Sequence, residues 1–251
     1  MKIKYLLVLL AIFAFASICF SQTVIIKPKK TVYKRKGKVS FEGKRTFTVV
    51  YPIVSGAIPA AAKKKLENTI SYWRVFETTL AENLSEDDWL SDLYYKVNYN
   101  KNGILDISLT QEGSAAYPDS QTYNLVINLK TGEQVKFADV FKADSLADLA
   151  KMVDKKLKVE TAAMNKRIDS GEFGKEDKES NDSLKEQLSA LEFTAESFNE
   201  YSVSDKGVTI LYDAGFPHVT QALQPDGRYF FTWAEIKSFV NRDGLLQKFV
   251  R

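Results

Sequence analysis

The stretch LYYKVNYNKNGILDISLTQ, Leu93 to Gln111, sets Asn102-Gly103 between two runs in which apolar and polar residues alternate. Alternation with a period of two is the pattern of a half-buried strand. Asn-Gly tolerates the positive φ angles of the tightest hairpin turns, so the stretch predicts two antiparallel strands. Working outward, TYNLVINLKTGEQVKF, Thr122 to Phe137, repeats the arrangement around Thr131-Gly132. Together the two stretches predict four neighbouring antiparallel strands. Upstream, KVSFEGKRTFTVVYPIV steps through Phe41, Arg45, Phe47, Val49 and Tyr51, a further strand whose regular pairing Pro52 is expected to end. Downstream, EYSVSDKGVTILYD turns at Lys206-Gly207, and GRYFFTWAEIKSFV leads from Tyr229–Phe231 into a short helix with Thr232 and Glu235 spaced as a capping box.

Between the strand groups the period changes to that of a helix. Leu66, Ile70, Trp73, Phe76, Leu80 and Leu84 recur at three- and four-residue intervals behind Pro59, predicting one long amphipathic helix whose aromatic residues are core. Leu146, Leu149, Val153 and Leu157 predict a second, entered through Asp144 and Ser145 with Asp148 in capping position. Hairpins grouped together, with helices between the groups, specify an α+β domain: an antiparallel β-sheet built from hairpins, packed by two long helices and a short C-terminal helix.

The chain opens MKIKYLLVLLAIFAFASICFSQ, in which Lys2 and Lys4 precede an apolar run and then small residues. Residues 1–21 read as a secretory signal peptide cleaved between Ser21 and Gln22, which places the mature chain outside the cytoplasm, periplasmic or secreted, and soluble. The run is shorter than the ~20 residues that span a bilayer. Ile18 before Cys19 is a poor lipoprotein site; without cleavage the same segment becomes an N-terminal anchor. Cys19 is the one cysteine of the chain, so the mature protein is expected to have no disulfide, thiol nucleophile or thiolate metal site.

With Lys2 and Lys4 removed, the 35 basic side chains fall to 33 against 32 acidic ones. They are unevenly placed. Residues 22–43 carry a charge of about +6 and the remainder about −5, so 22–43 is expected to be a basic flexible arm and 44–251 a single domain. An exposed loop is expected near 169–183, where DSGEFGKEDKESNDS is too polar to pack. Nucleic acid is excluded by the compartment and the acidic body.

Candidate chemistry is sparse. The only histidine, His218, stands in YDAGFPHV, Tyr212 to Val219, and a Ser-His-Asp hydrolase would pair it with a carboxylate such as Asp213; no G-x-S-x-G elbow presents the serine. Gly215, Phe216, Pro217 and His218 are accordingly read as a structural turn. One histidine without thiols cannot build a zinc centre, and no glycine-rich phosphate loop exists, so neither a metal nor another cofactor is expected. In LSEDDWLSD the acidic residues Glu86, Asp87, Asp88 and Asp92 cluster, but Ser85 and Asp88 are spaced as a helix cap and the cluster lacks calcium-loop spacing. No catalytic residue is assigned.

The order of these motifs resembles a known family. VVYPIVSGAIPAAAKKKLENTIS, NLVINLKTGEQVKFADVF and ILYDAGFPHVTQALQPDGRYFFTWAEIKSFV are similar to successive parts of the RsiV/PdaC-type extracytoplasmic domain, and the resemblance runs from about Phe47 to Val240. It implies an antiparallel sheet packed by helices, and binding functions: the RsiV domain recognises lysozyme, and the PdaC domain accompanies a catalytic domain that acts on peptidoglycan. Where many members carry glycine-glycine-alanine-histidine after a tyrosine, this chain has AAYPDSQTYN at Ala115 to Asn124, so no ligand role passes to Asp119, Ser120 or Gln121. The expectation is an exported, non-catalytic binding or sensing module for a lysozyme-like protein or a cell-wall glycan. A carboxylate-dependent wall hydrolase and a secreted structural adaptor are the alternatives.

Overall fold

A computed structural model describes residues 23–40, 42–85, 89–115, 117–172 and 178–251. Six strands form one sheet in chain order: β1 (Ile25–Lys34), β2 (Thr46–Ser55), β3 (Leu90–Lys101), β4 (Ile104–Ser114), β5 (Pro118–Asn128) and the two-residue β6 (Glu133–Gln134). Neighbours run antiparallel except β2 and β3, which meet in parallel at Thr48–Asp92 and Val49–Leu93. The β3–β4 turn is the one expected: Asn102 and Gly103 have φ angles of 55° and 70°, the pair of left-handed residues that a two-residue hairpin requires. A second sheet is made of β7 (Glu200–Val203), β8 (Gly207–Leu211) and β9 (Arg228–Thr232). The α+β class holds.

One face of the large sheet buries Phe47, Val49, Leu93, Leu105, Ile107 and Leu109 under three short helices, α1 (Ala60–Thr69), α2 (Tyr72–Val75) and α3 (Leu80–Asn83). These replace the single long helix expected over the same residues. Ser71 is extended and Glu77 adopts a φ of 51°, and the hydroxyls of Thr69 and Thr79 bond the Lys65 carbonyl and the Glu82 amide, backbone groups that a continuous helix would use. Thr79 caps α3 reciprocally with Glu82. The apolar stripe survives the breaks in part: Leu66 and Ile70 are buried, Trp73, Phe76, Leu80 and Leu84 are partly buried against the same core, and Tyr72, outside the expected stripe, is fully buried. Gly132 holds the β5–β6 turn at a φ of 77°, and a Cβ there would lie 2.1 Å from the carbonyl oxygen of Ala62, so α1 sits directly on that turn.

After α4 (Phe137–Val140) come the 24-residue α5 (Leu146–Asp169) and α6 (Lys178–Ala190). A second apolar core draws Ile104 and Val126 from the large sheet, Val203, Val208, Ile210 and Phe231 from the small one, and Leu149, Val153 and Leu157 from α5. A third, smaller cluster joins Met164 and Ile168 of α5, Leu184 and Leu188 of α6, and Phe216. The closing helix α7 (Trp233–Ile236) has the predicted cap, with Thr232 Oγ1 accepting from the Glu235 amide. Among the described residues no helix is long and apolar enough to cross a membrane.

The structure departs from expectation at four further places. Within the stretch read as a basic flexible arm, 22–43, residues Ile25–Lys34 form β1, in register with β2 from Ser55 to Thr46. The backbone ladder does not depend on the lysine side chains, and the strand is pinned at both ends: Val24 is buried, Tyr33 stacks on Phe47, and buried Arg35 donates to the carbonyls of Lys44 and Leu90. Pro52 does not end the pairing of β2 but lies inside it, opposite Pro28. The expected loop near 169–183 is partly helix, since α5 runs through Asp169 and α6 begins at Lys178. Ser145 precedes α5 without a side-chain cap bond, as a short 3-10 turn over Ala143–Ser145 occupies the expected capping segment.

Candidate binding cleft

Because successive strand residues point their main-chain groups to opposite sides, β5 presents two edges. Its odd-numbered residues from Asp119 to Ile127 bond to β4. The Asn124 amide donates outward to Glu200 Oε2 at 2.8 Å, and the Val126 carbonyl accepts from the Val135 amide at 2.7 Å, so the even-numbered residues face away from β4. The β6 strand covers that outer edge only at Ile127 and Asn128. From Ser120 to Asn124 it opens onto a cleft.

Two carboxylates join the sheets at the closed end of this edge. Asp106 on β4, fully buried, accepts from Asn98 Nδ2 at 3.0 Å, Ser202 Oγ at 2.5 Å and the Val203 amide at 2.7 Å. Glu200 on β7 accepts from the Asn124 amide of β5. Each sheet thus lends a carboxylate to an otherwise unpaired strand amide of the other, which satisfies the edge donors at the junction. Burial pushes the Asp106 carboxyl above the ordinary range against the opposing pull of its donors, and burial, with Asp213 adding like charge, pushes Glu200 upward too. Tyr201 Oη completes the junction by donating to the Val135 carbonyl at 2.9 Å.

Beyond this junction a cavity of about 680 Å³ runs along the open edge, walled by Thr122 and Asn124 on one side and Glu200, Asp213, Asp226 and Arg228 on the other. A second cavity of about 630 Å³ lies across Tyr123, Asn124 and Glu200, where Lys65, Arg74 and Lys136 give it the opposite charge around Glu133. Lys65 is engaged with Glu133 at 2.5 Å. The linings combine amides, hydroxyls, tyrosine rings and charges of both signs, which suits a polar partner with hydrogen-bonding groups along its length.

The predicted turn contributes to this wall. Asp213 Oδ1 accepts from the Gly215 amide at 2.9 Å and from Gln224 Nε2 at 3.0 Å, while Gln224 Oε1 accepts from the Phe216 amide at 2.9 Å. Gly215 has a φ of 66° and Phe216 is buried in the third cluster. Pro217 precedes a 3-10 turn that His218 opens; the His218 side chain lies outside the described set. Asp213 is committed to the turn's own amides. Ser21, Gln22, Glu86, Asp87 and Asp88 fall outside the described residues, and Asp92 sits on β3 opposite Glu112 and Thr48, away from the cleft. Among the described residues no group of three or more histidine, cysteine, aspartate or glutamate side chains is placed to hold a metal ion.

Sequence reasoning passed over Asp106, Glu200, Asp226, Arg228 and Thr122. An aspartate at a buried-strand position, between Leu105 and Ile107, was the one signal available for Asp106; the others are brought together only by the packing of two sheets.

No protein-family model matches the chain, and no curated protein is detectably similar in sequence. Solved structures do match. The chain is similar to a DUF3298 family member from Bacteroides fragilis, with a TM-score of 0.54 at 10% identity, over 90% of this chain and 96% of that one. It is also similar to a DUF3298 family protein from Pseudomonas aeruginosa, with a TM-score of 0.52 at 13% identity, over 89% of this chain and 96% of the other. The structural neighbours are therefore DUF3298 proteins, and at these identities the likeness is one of fold.

Proposed function

We propose that this chain is an exported binding module, without chemistry of its own, that holds a cell-envelope partner in the cleft beside β5. The partner is a lysozyme-like protein or peptidoglycan, and the RsiV/PdaC-type domain is the finer kinship we propose within the DUF3298-like fold. The observation that carries this reading is the pair of cavities flanking one strand edge, lined by hydrogen-bonding groups and charges of both signs. The leader-like N-terminus supports the compartment. The hydrolase alternative has one observation in its favour: Glu200, held toward its protonated form by burial, faces the same cleft as Asp213 and Asp226, as a proton donor and a second carboxylate would. Against it, Glu200 is spent on the Asn124 amide and Asp213 on its own turn.

Co-sedimentation of the mature protein with insoluble peptidoglycan, and capture on immobilised lysozyme, test the proposal. Saturable retention on one of the two matrices is expected, weakened at least tenfold by Asp226→Asn combined with Arg228→Ala. Release of soluble glycan fragments by the wild type, abolished in Glu200→Gln, would overturn it in favour of the hydrolase.

A further inference from the structure

The open edge of β5 points to a more specific ligand class. Resting on the binding-module reading, we propose that β5 is a strand-addition site for an extended peptide segment with cationic side chains, docked along Ser120–Asn124. Thr122 aims both its amide and its carbonyl outward, and among the described residues neither has a protein partner; the carbonyls of Ser120 and Asn124 are aimed the same way. The Ser120 amide is held by Asp119 Oδ1 at 2.8 Å and the Asn124 amide by Glu200, which leaves Thr122 as the position where an incoming strand exchanges both of its bonds.

The other sheet edge is different. Along β1, Lys27, Lys29, Lys30 and Lys34 together with Pro28 blunt the edge against pairing, and no cavity described above runs along it. Between Ser120 and Asn124 β5 has neither lysine nor proline, and a cavity of about 680 Å³ lies beside it, where an added strand at the ~4.8 Å spacing of a sheet would run. Charge selects the occupant. Glu200, Asp213 and Asp226 line the cleft against Arg228 alone, so a lysine- or arginine-bearing strand is complementary and an acidic one is opposed.

The test uses the mature chain and a fluorescein-labelled heptapeptide in which lysine alternates with valine or threonine, read by fluorescence anisotropy. Saturable binding is expected, and methylating alternate backbone amides of the peptide should weaken it at least tenfold while leaving its side chains unchanged. Thr122→Pro, which removes the outward amide at a position where an edge strand accepts proline, should give a similar loss. Hydrogen exchange at the Thr122 amide should slow only when the unmethylated peptide is present. Equal binding of the methylated peptide, or no saturable binding, overturns strand addition. If the protein still sediments with peptidoglycan in that case, the binding-module reading stands without it. Protection of Thr122 in the absence of peptide, rising with protein concentration, would assign the edge to a second copy of the chain and equally overturn the proposal.

Discussion

Asp106 shows how much one residue can carry in this fold. It stands between Leu105 and Ile107 on β4, with three donors converging on its carboxyl from β3 and β7. Asp106→Ala removes every acceptor at once and leaves the buried Val203 amide without a partner, so a loss of ~3 kcal/mol in urea melts is expected. The pH dependence has a definite sign. Burial raises the Asp106 carboxyl above its unfolded value, so the native state binds this proton more tightly than the unfolded chain does. The stability this contributes is complete below the unfolded value of about 3.9 and is lost as pH rises through the raised native value. The stability of the wild type relative to Asp106→Asn, compared in melts at successive pH values, should therefore be flat in acid and decline as pH rises. A difference that instead grows with pH would mean that the three donors outweigh burial and favour the ionised form.

At the scale of elements, legibility followed local chemistry. The Asn102-Gly103 hairpin, the Thr131-Gly132 turn and the Thr232/Glu235 cap are each set by two or three adjacent residues, and each is found where the sequence places it. From Pro59 to Leu84 the same apolar stripe is served by three short helices as well as by one long one; the breaks lie at extended Ser71, at Glu77 with its positive φ and at Thr79, whose hydroxyl takes the Glu82 amide, and a periodicity count does not weigh them. The β1 strand was hidden by its lysines. Its order comes from pairing with β2 and from Arg35, both invisible in the charge pattern. Residues 25–34 should accordingly show hydrogen-exchange protection approaching that of β2, and a chain starting at Lys38 should melt several degrees lower, having lost the ladder and the Arg35 bonds. Exchange of 25–34 as rapid as in an unstructured peptide would restore the flexible arm.

For the whole molecule, the two sheets come from different regions of the chain and share an apolar core. The second core mixes Tyr99, Ile104 and Val126 of the large sheet with Val203, Val208 and Phe231 of the small one, and α5 closes over both. The cleft exists only at this junction, which is why its lining could not be read from any one stretch: Thr122, Glu200, Asp213 and Asp226 come from three separated segments. A shared core and reciprocal carboxylate bonds should make the sheets unfold together, since exposing either one uncovers apolar surface of the other. Trp73 packs against the first core and Trp233 belongs to the second, so single-tryptophan variants retaining one or the other report on each half. Their urea transitions should coincide with each other and with the loss of far-ultraviolet circular dichroism, giving one midpoint and one slope. Asp106→Ala should shift all three curves by the same amount, because the bond it removes spans the junction. Two separated transitions, with the Trp73 reporter undisturbed by Asp106→Ala, would show that the large sheet and its helices stand without the small one, and that the cleft lies between two independent bodies.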